Sequence, residues 1–153
     1  MFTSLSATSV AVDEAAAAPI HHEVMSPPAY SGIGPVEWRV FTKAQPNTLM
    51  EGEPVAISRV LRAAWPGLQQ PVFSCDADRF VLPTESSHGT VILQRVHDLG
   101  AADQQRLLDW LGRDGRRTRL ITTSSESLFP RVEDGAFLAD LYYRLNAVLL
   151  QVS

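Results

Sequence analysis

The chain contains one lysine, Lys43, and it is followed by Ala44. A phosphate loop of the form G-x-x-x-x-G-K-[ST] needs a lysine followed by Ser or Thr, so that site is excluded in its usual form. The single cysteine, Cys75, could serve as a nucleophile with His88 or His97 as its base, but no local motif sets a base beside it. At the end of a core strand a cysteine reads by default as a small buried hydrophobe. One thiol forbids an internal disulfide and is too few for structural zinc. His21 and His22 are adjacent and do not share a helix face, so they read as solvated and no metal site is expected. Arg113, Arg116, Arg117 and Arg119 form a basic cluster interspersed with Asp109 and Asp114. It reads as a solvated turn between helix and strand, with contact to phosphate or an acidic partner as the alternative. Trp38, Trp65 and Trp110 are scattered rather than interleaved with basic residues, which leaves no stacking platform for nucleic acid.

These groups need a scaffold. With 153 residues, 45% hydrophobic and 20% charged, the chain can bury a core without cross-links. A net charge of −4 gives no global reason to expect nucleic acid. Twelve of the 13 basic residues are arginine, which reads as a compositional bias. No apolar run approaches the ~20 residues of a membrane span. No basic residue precedes Arg39, so the positive segment of a signal peptide is missing and a cytoplasmic location is expected. Residues 1–35 are rich in Ala, Ser and Pro and have few large apolar side chains to offset ordering entropy; they read as a disordered N-terminal tail. Residues 36–153 read as one domain.

Within that domain, Val36 to Phe41, Thr48 to Met50, Pro71 to Ser74, Val91 to Leu93 with Val96, Thr118 to Thr123 and Ala147 to Val152 are strand-like. Helical spacing joins Val55, Ile57, Val60, Leu61 and Ala64, with Pro54 in the first turn and Trp65-Pro66-Gly67 as the stop. A second helix runs from about Ala101 to Gly112, and a third is lined by Phe137, Leu138, Leu141, Tyr142 and Leu145. Strands alternating with helices imply an α/β fold with a mostly parallel sheet covered by helices.

The segment Asp140-Leu141-Tyr142-Tyr143-Arg144-Leu145-Asn146-Ala147-Val148 resembles one in the AAA+ domain of sigma-54-dependent transcriptional activators, the bacterial enhancer-binding proteins. Gly89 to Leu93 followed by Leu99, Gln105, Leu107, Leu108 and Leu111 is similar to that family's Walker B strand and its following helix. Arg119 to Ser124 is similar to its sensor strand, Thr48 to Glu53 to the first strand and the opening of the phosphate loop, and Val72 to Cys75 to the second strand. The resemblance covers roughly residues 45 to 152. It implies a P-loop NTPase/AAA+-like three-layer fold, reduced and without the helical lid.

The departures bear on function. After Gly52-Glu53 about four residues of the usual loop are missing, including the second glycine and the lysine, and Pro54 has no N–H to offer a phosphate. Gly52 and Glu53 are thus a degenerate remnant of a nucleotide site, and Glu51 and Glu53 would repel phosphate. Where the family carries two carboxylates for magnesium and water, this chain has Gln94 and Arg95, a cation in the metal's place. Asp98 matches a different part of the motif and is given no catalytic role. The sensor position falls near Ser125. Of two arginine fingers, one matches Leu138 and only Arg144 survives; Arg144 could instead pair with Asp140, one turn earlier. Asp140, Tyr143 and Arg144 form the candidate interface. Only thirteen residues, Asp76 to His88, stand where the family has a helix and its sigma-contacting loop, and the chain ends before the family's DNA-binding module.

The expected function is therefore transcription-related regulation through protein contacts, without ATP hydrolysis, catalytic residues, ATP or magnesium. The expected partners are a second copy or an intact AAA+ activator, with no direct sigma-54 contact and no membrane. The alternatives are a weak ATP-binding remnant and a small nucleic-acid binder.

Overall fold

Apolar residues alternate along the central strands so that neighbours face opposite sides of one sheet. Leu49 lies in one hydrophobic cluster and Met50 in the other; Val91 and Leu93 oppose Ile92, and Leu120 opposes Ile121. In a computed structural model, which describes residues 26–83 and 89–153, these belong to β1 (Thr48–Gly52), β3 (Thr90–Gln94) and β4 (Arg119–Ser124). With β2 (Val72–Asp76) and β5 (Val148–Val152) they form a five-stranded sheet in the order β2-β3-β4-β1-β5. Every pairing is parallel, with Thr48 in register with both Ile121 and Val148. Parallel strands need crossover connections, which cover both faces.

Helix α1 (Pro35–Arg39) and α2 (Pro54–Ala64) lie on the Met50 face, where Trp38, Ile57, Val60 and Leu61 are buried. Helix α3 (Ala101–Gly112), α4 (Phe129–Glu133) and α5 (Ala139–Leu145) belong to the other side, which buries Leu107, Trp110, Leu141 and Leu145. Among the described residues no helix is long and apolar enough to cross a membrane.

The strand-like reading of Val36 to Phe41 is overturned. The segment is α1, continued by a π-helical turn over Val40–Ala44 that ends on Gln45 with φ 54°. Burial has a three-residue spacing here: Trp38 and Phe41 are fully buried with ring centroids 5.5 Å apart, whereas Val36 and Val40 are exposed. Part of the expected tail also packs. Ser31 and Ile33 are buried, and the Ser153 N–H donates to the Ser31 carbonyl at 2.9 Å. Residues 1–25, with the alanine run, His21 and His22, lie outside the described residues, as does His88. Phe137 and Leu138 precede α5 rather than lining it, and Val96 sits in a 3-10 turn, Val96–Asp98, beyond the end of β3. The short α4, with Pro130 in its first turn, is a helix that periodicity alone did not reveal.

Three polar side chains, two of them buried and Asn47 half-buried, fasten the connections. Gln104 Nε2 donates to the Leu99 and Ala136 carbonyls at 3.0 and 3.1 Å, while its Oε1 accepts from Leu138 N at 2.9 Å. Asn47 Oδ1 accepts from Leu120 N at 2.8 Å, and its amide donates to the Arg144 carbonyl at 3.4 Å. Arg119 was expected in the exposed basic cluster; it is instead buried, donating to the Phe41 and Pro46 carbonyls at 2.7 and 3.0 Å with its guanidinium 4.5 Å from the Phe41 ring centroid. Burial pushes its pKa down to about 10, so it stays cationic at neutral pH. Arg119→Met would leave two carbonyl oxygens without their donors, and a loss of about 2 kcal/mol is expected. Urea unfolding of the two proteins measures it, and an unchanged midpoint would refute the clamp.

Candidate functional site

The C-terminal ends of β1, β3 and β4 meet at a cavity of about 150 Å³ lined by Gly52, Pro54, Gln94, Arg95, Thr123 and Ser125 among others. Helix α2 begins at its edge, with Pro54 in the first turn and Glu53 as a cap residue whose side chain makes no capping bond. Gly52 is placed by packing: a Cβ there would collide with the Val152 carbonyl oxygen of the neighbouring strand. Glu51 is not a free charge facing the cavity, as the sequence suggested. It is buried, its Oε2 accepting from Leu128 N at 3.0 Å and its Oε1 from Gln151 Nε2 at 2.9 Å, so it braces the start of α4 against β5.

Arg95 follows β3 with φ 57° and its N–H 3.3 Å from Thr123 Oγ1. Its guanidinium is enclosed by three carboxylates. Nε lies 3.1 and 3.2 Å from the two Asp76 oxygens and Nη2 2.6 Å from Asp76 Oδ1; Nη2 also pairs with Asp78, and Nη1 donates to Asp98 at 3.2 Å. The fork-shaped donor fits a carboxylate in two places at once, which a point charge does not. Hydrogen bonding from Arg95, then from the Asp78 N–H, holds the Asp76 carboxyl below the usual carboxylate range. The same bonds to Asp76 and Asp78 push the Arg95 pKa upward. Spacing within the sequence did not single out Asp76 and Asp78; the detectable signal was an arginine ending one strand and two aspartates ending its neighbour.

Ser125 lies just beyond β4, with its hydroxyl 3.2 Å from His97 Nε2. Asp98 Oδ1 is 3.7 Å from the same nitrogen, while His97 Nδ1 is buried with no hydrogen-bond partner among the described residues. A Ser-His-Asp relay uses the two ring nitrogens for different partners, and this arrangement does not. Cys75 is half-buried on the edge strand β2 and burial pushes its thiol pKa up. No imidazole is bonded to it among the described residues.

Asp140, Tyr143 and Arg144 come together, joined by Asp109 and Arg113, in a groove of about 850 Å³ between α3 and α5. The two tyrosines diverge: Tyr142 is 6% exposed and Tyr143 63%. Tyr142 packs against Phe129, with ring centroids 5.9 Å apart, and burial raises its phenol pKa. The alternative ion pair between Asp140 and Arg144 is absent among the described residues, which leaves the Arg144 head group exposed. Leu138 packs against the hydrophobic core.

Two substitutions test this geometry. Gly52→Ala forces β1 away from β5, and a cost of about 2 kcal/mol or more is expected in urea unfolding; equal midpoints would contradict the close approach. The lowered carboxyl of Asp76 contributes stability above its ordinary pKa of about 3.9, and that contribution disappears as pH falls through the lower folded value. Arg95→Ala should therefore be less stable at pH 7, with the gap to the unsubstituted protein closing below about pH 4. A gap independent of pH would show that the cluster does not act through charge.

Residues 68–153 match the sequence family described as "Sigma-54 interaction domain". No curated protein sequence matches the chain. Among solved structures, NtrX from Brucella abortus in complex with ATP superposes with a TM-score of 0.62 at 17% identity, covering 96% of this chain and 39% of that one. The P-loop NTPase domain of the sigma-54 transport activator from E. coli gives 0.54 at 16% identity, over 76% of this chain and 93% of that one. A RuvB variant from Thermotoga maritima gives 0.54 at 14%, over 69% and 37%. The chain thus spans about two fifths of the NtrX chain and has the P-loop NTPase-like fold. With the family match extending over more than half of its length, the chain belongs to the sigma-54 interaction domain family of AAA+ type.

Proposed function

We propose that this chain acts in transcription regulation through protein contacts and does not hydrolyse ATP. The observation that carries the reading is the Arg95 cluster, in which a guanidinium engages the carboxylates of Asp76, Asp78 and Asp98 at the end of the strand where metal ligands would be needed. A divalent cation would have to displace a resident cation from its partners. The remaining residues do not fit a magnesium nucleotide either. The cavity beside Gly52 holds about 150 Å³, below the ~300–1,000 Å³ of small-molecule sites. Pro54 offers no N–H, Glu53 adds a negative charge, and Lys43 precedes β1 at the opposite end of the sheet. Ser125 is engaged by His97.

The contacting surface in this reading is the groove between α3 and α5. Tyr143 supplies an exposed aromatic ring, and Arg113, Arg144, Asp109 and Asp140 supply both signs of charge. Such a surface suits a second copy of this chain or an intact AAA+ activator, which would then carry a subunit unable to fire. The hydroxyls of Thr123 and Ser125 near the start of α2 favour weak anion binding as the second reading.

Calorimetry with millimolar ATP and magnesium separates the two. No heat is expected, and a magnesium-dependent isotherm weakened by substitution of Gln94 would overturn the first reading. Titrating the chain into an intact activator is expected to lower that activator's ATPase rate, with Tyr143→Ala relieving the effect. Failure to co-purify, with an unchanged rate, would remove the proposed contact.

A further inference from the structure

Because all five strands are parallel, their first residues share one rim of the sheet and their last residues the other. The cavity and the Arg95 cluster occupy the C-terminal rim. Helices α2, α3 and α5 each precede a strand, so they end at the N-terminal rim. Hydrogen bonds hold that rim together: Arg119 binds the Phe41 and Pro46 carbonyls, Asn47 bridges Leu120 to Arg144, and Gln45 Nε2 reaches the Gly67 carbonyl at 3.2 Å.

To this rim the chain delivers Lys43 at the end of the π-helical turn, Arg62 in the last turn of α2, Arg113 after α3, and Arg116 and Arg117 in the 3-10 turn before β4. All five are exposed, and none forms an ion pair among the described residues. The opposite rim carries Asp76, Asp78, Asp98, Asp103 and Glu126; Arg95, Arg106 and Arg131 there are ion-paired, while Arg79, exposed in the 3-10 turn after β2, forms no ion pair among the described residues. Against the five cations stand Asp109, which accepts a hydrogen bond from Gln105 at 3.0 Å, and Asp140, which lines the same groove as Arg113. A chain of net charge −4 therefore presents one surplus-positive end.

Helix C-termini attract cations and account in part for Arg62 and Arg113, as the end of the 3-10 turn does for Arg116 and Arg117. The five come from four segments and do not converge on one pocket, so they do not suit a single small anion. They suit a regularly repeating one, and arginine's fork matches phosphate oxygens. We infer that the N-terminal rim formed by Lys43, Arg62, Arg113, Arg116 and Arg117 binds the phosphate backbone of nucleic acid without reading its sequence. This site lies at the other end of the sheet from the cavity; it shares Arg113 with the groove between α3 and α5 but does not depend on the function proposed above.

Fluorescence anisotropy of the full chain with a labelled duplex of arbitrary sequence tests it. Contact with about three phosphates gives a slope of about −2.7 in log K against log salt, or about 40-fold weaker binding at about 200 mM than at about 50 mM. The double substitution Arg116→Glu with Arg117→Glu should weaken binding at least tenfold, while Arg59→Glu, exposed in the middle of α2, should not. If the double variant fails a melting control, Lys43→Glu with Arg113→Glu reads the same rim. No binding at 50 mM salt, a flat salt response, or equal loss from Arg59→Glu would overturn the inference. Binding to polyglutamate but not to duplex would do so as well, reassigning the rim to an acidic protein.

Discussion

Parallel pairing of β1 between β4 and β5 is the constraint from which the remaining architecture follows. Parallel neighbours cannot be joined by tight turns, so each connection must cross the sheet and cover a face. The two faces are then both dry, and the central strands become apolar on both sides, as in Leu49-Met50 and Leu120-Ile121. The same constraint gives the sheet two unlike rims. At one, strands end and loops open around a cavity; at the other, helices finish and backbone carbonyls need donors. Arg119, Asn47 and Gln45 supply donors at that second rim, which is why polar residues are spent there.

At the first rim the polar groups have mostly been turned toward one another. Glu51 braces two backbone segments, Ser125 faces His97, and Arg95 is surrounded by aspartates. An active site holds its polar groups ready for a substrate, at a cost in stability. Here most of those groups have protein partners that join neighbouring strands and loops. Fold likeness to ATP-bound relatives says little about such a junction, because chemistry belongs to the groups at the site and not to the sheet that carries it.

Much of the architecture was readable from the chain. The run Val55 to Ala64 and the run from Ala101 to Gly112 declared themselves by spacing and by their Pro and Gly boundaries. Gln94 and Arg95, expected to follow the strand Val91 to Leu93, lie at the end of β3 and line the cavity with Pro54. What escaped was non-local. The pairing of Arg95 with Asp76 and Asp78 depends on β2 lying beside β3, and the burial of Arg119 depends on a loop more than 70 residues earlier in the chain. Val36 to Phe41 looked extended because a single short turn offers too few residues to show a helical period; the burial of Trp38 and Phe41 settled its form. The candidate interface residues on α5 were found together because a helix keeps local neighbours local.

The guanidinium of Arg95 also makes the path of change lopsided. Replacing it by a carboxylate sets a fourth negative charge among Asp76, Asp78 and Asp98 with nothing to balance it. A carboxylate at that position thus requires compensating changes among the three aspartates. Charge balance at this corner ties position 95 to positions 76, 78 and 98, so that none of the four changes independently of the others.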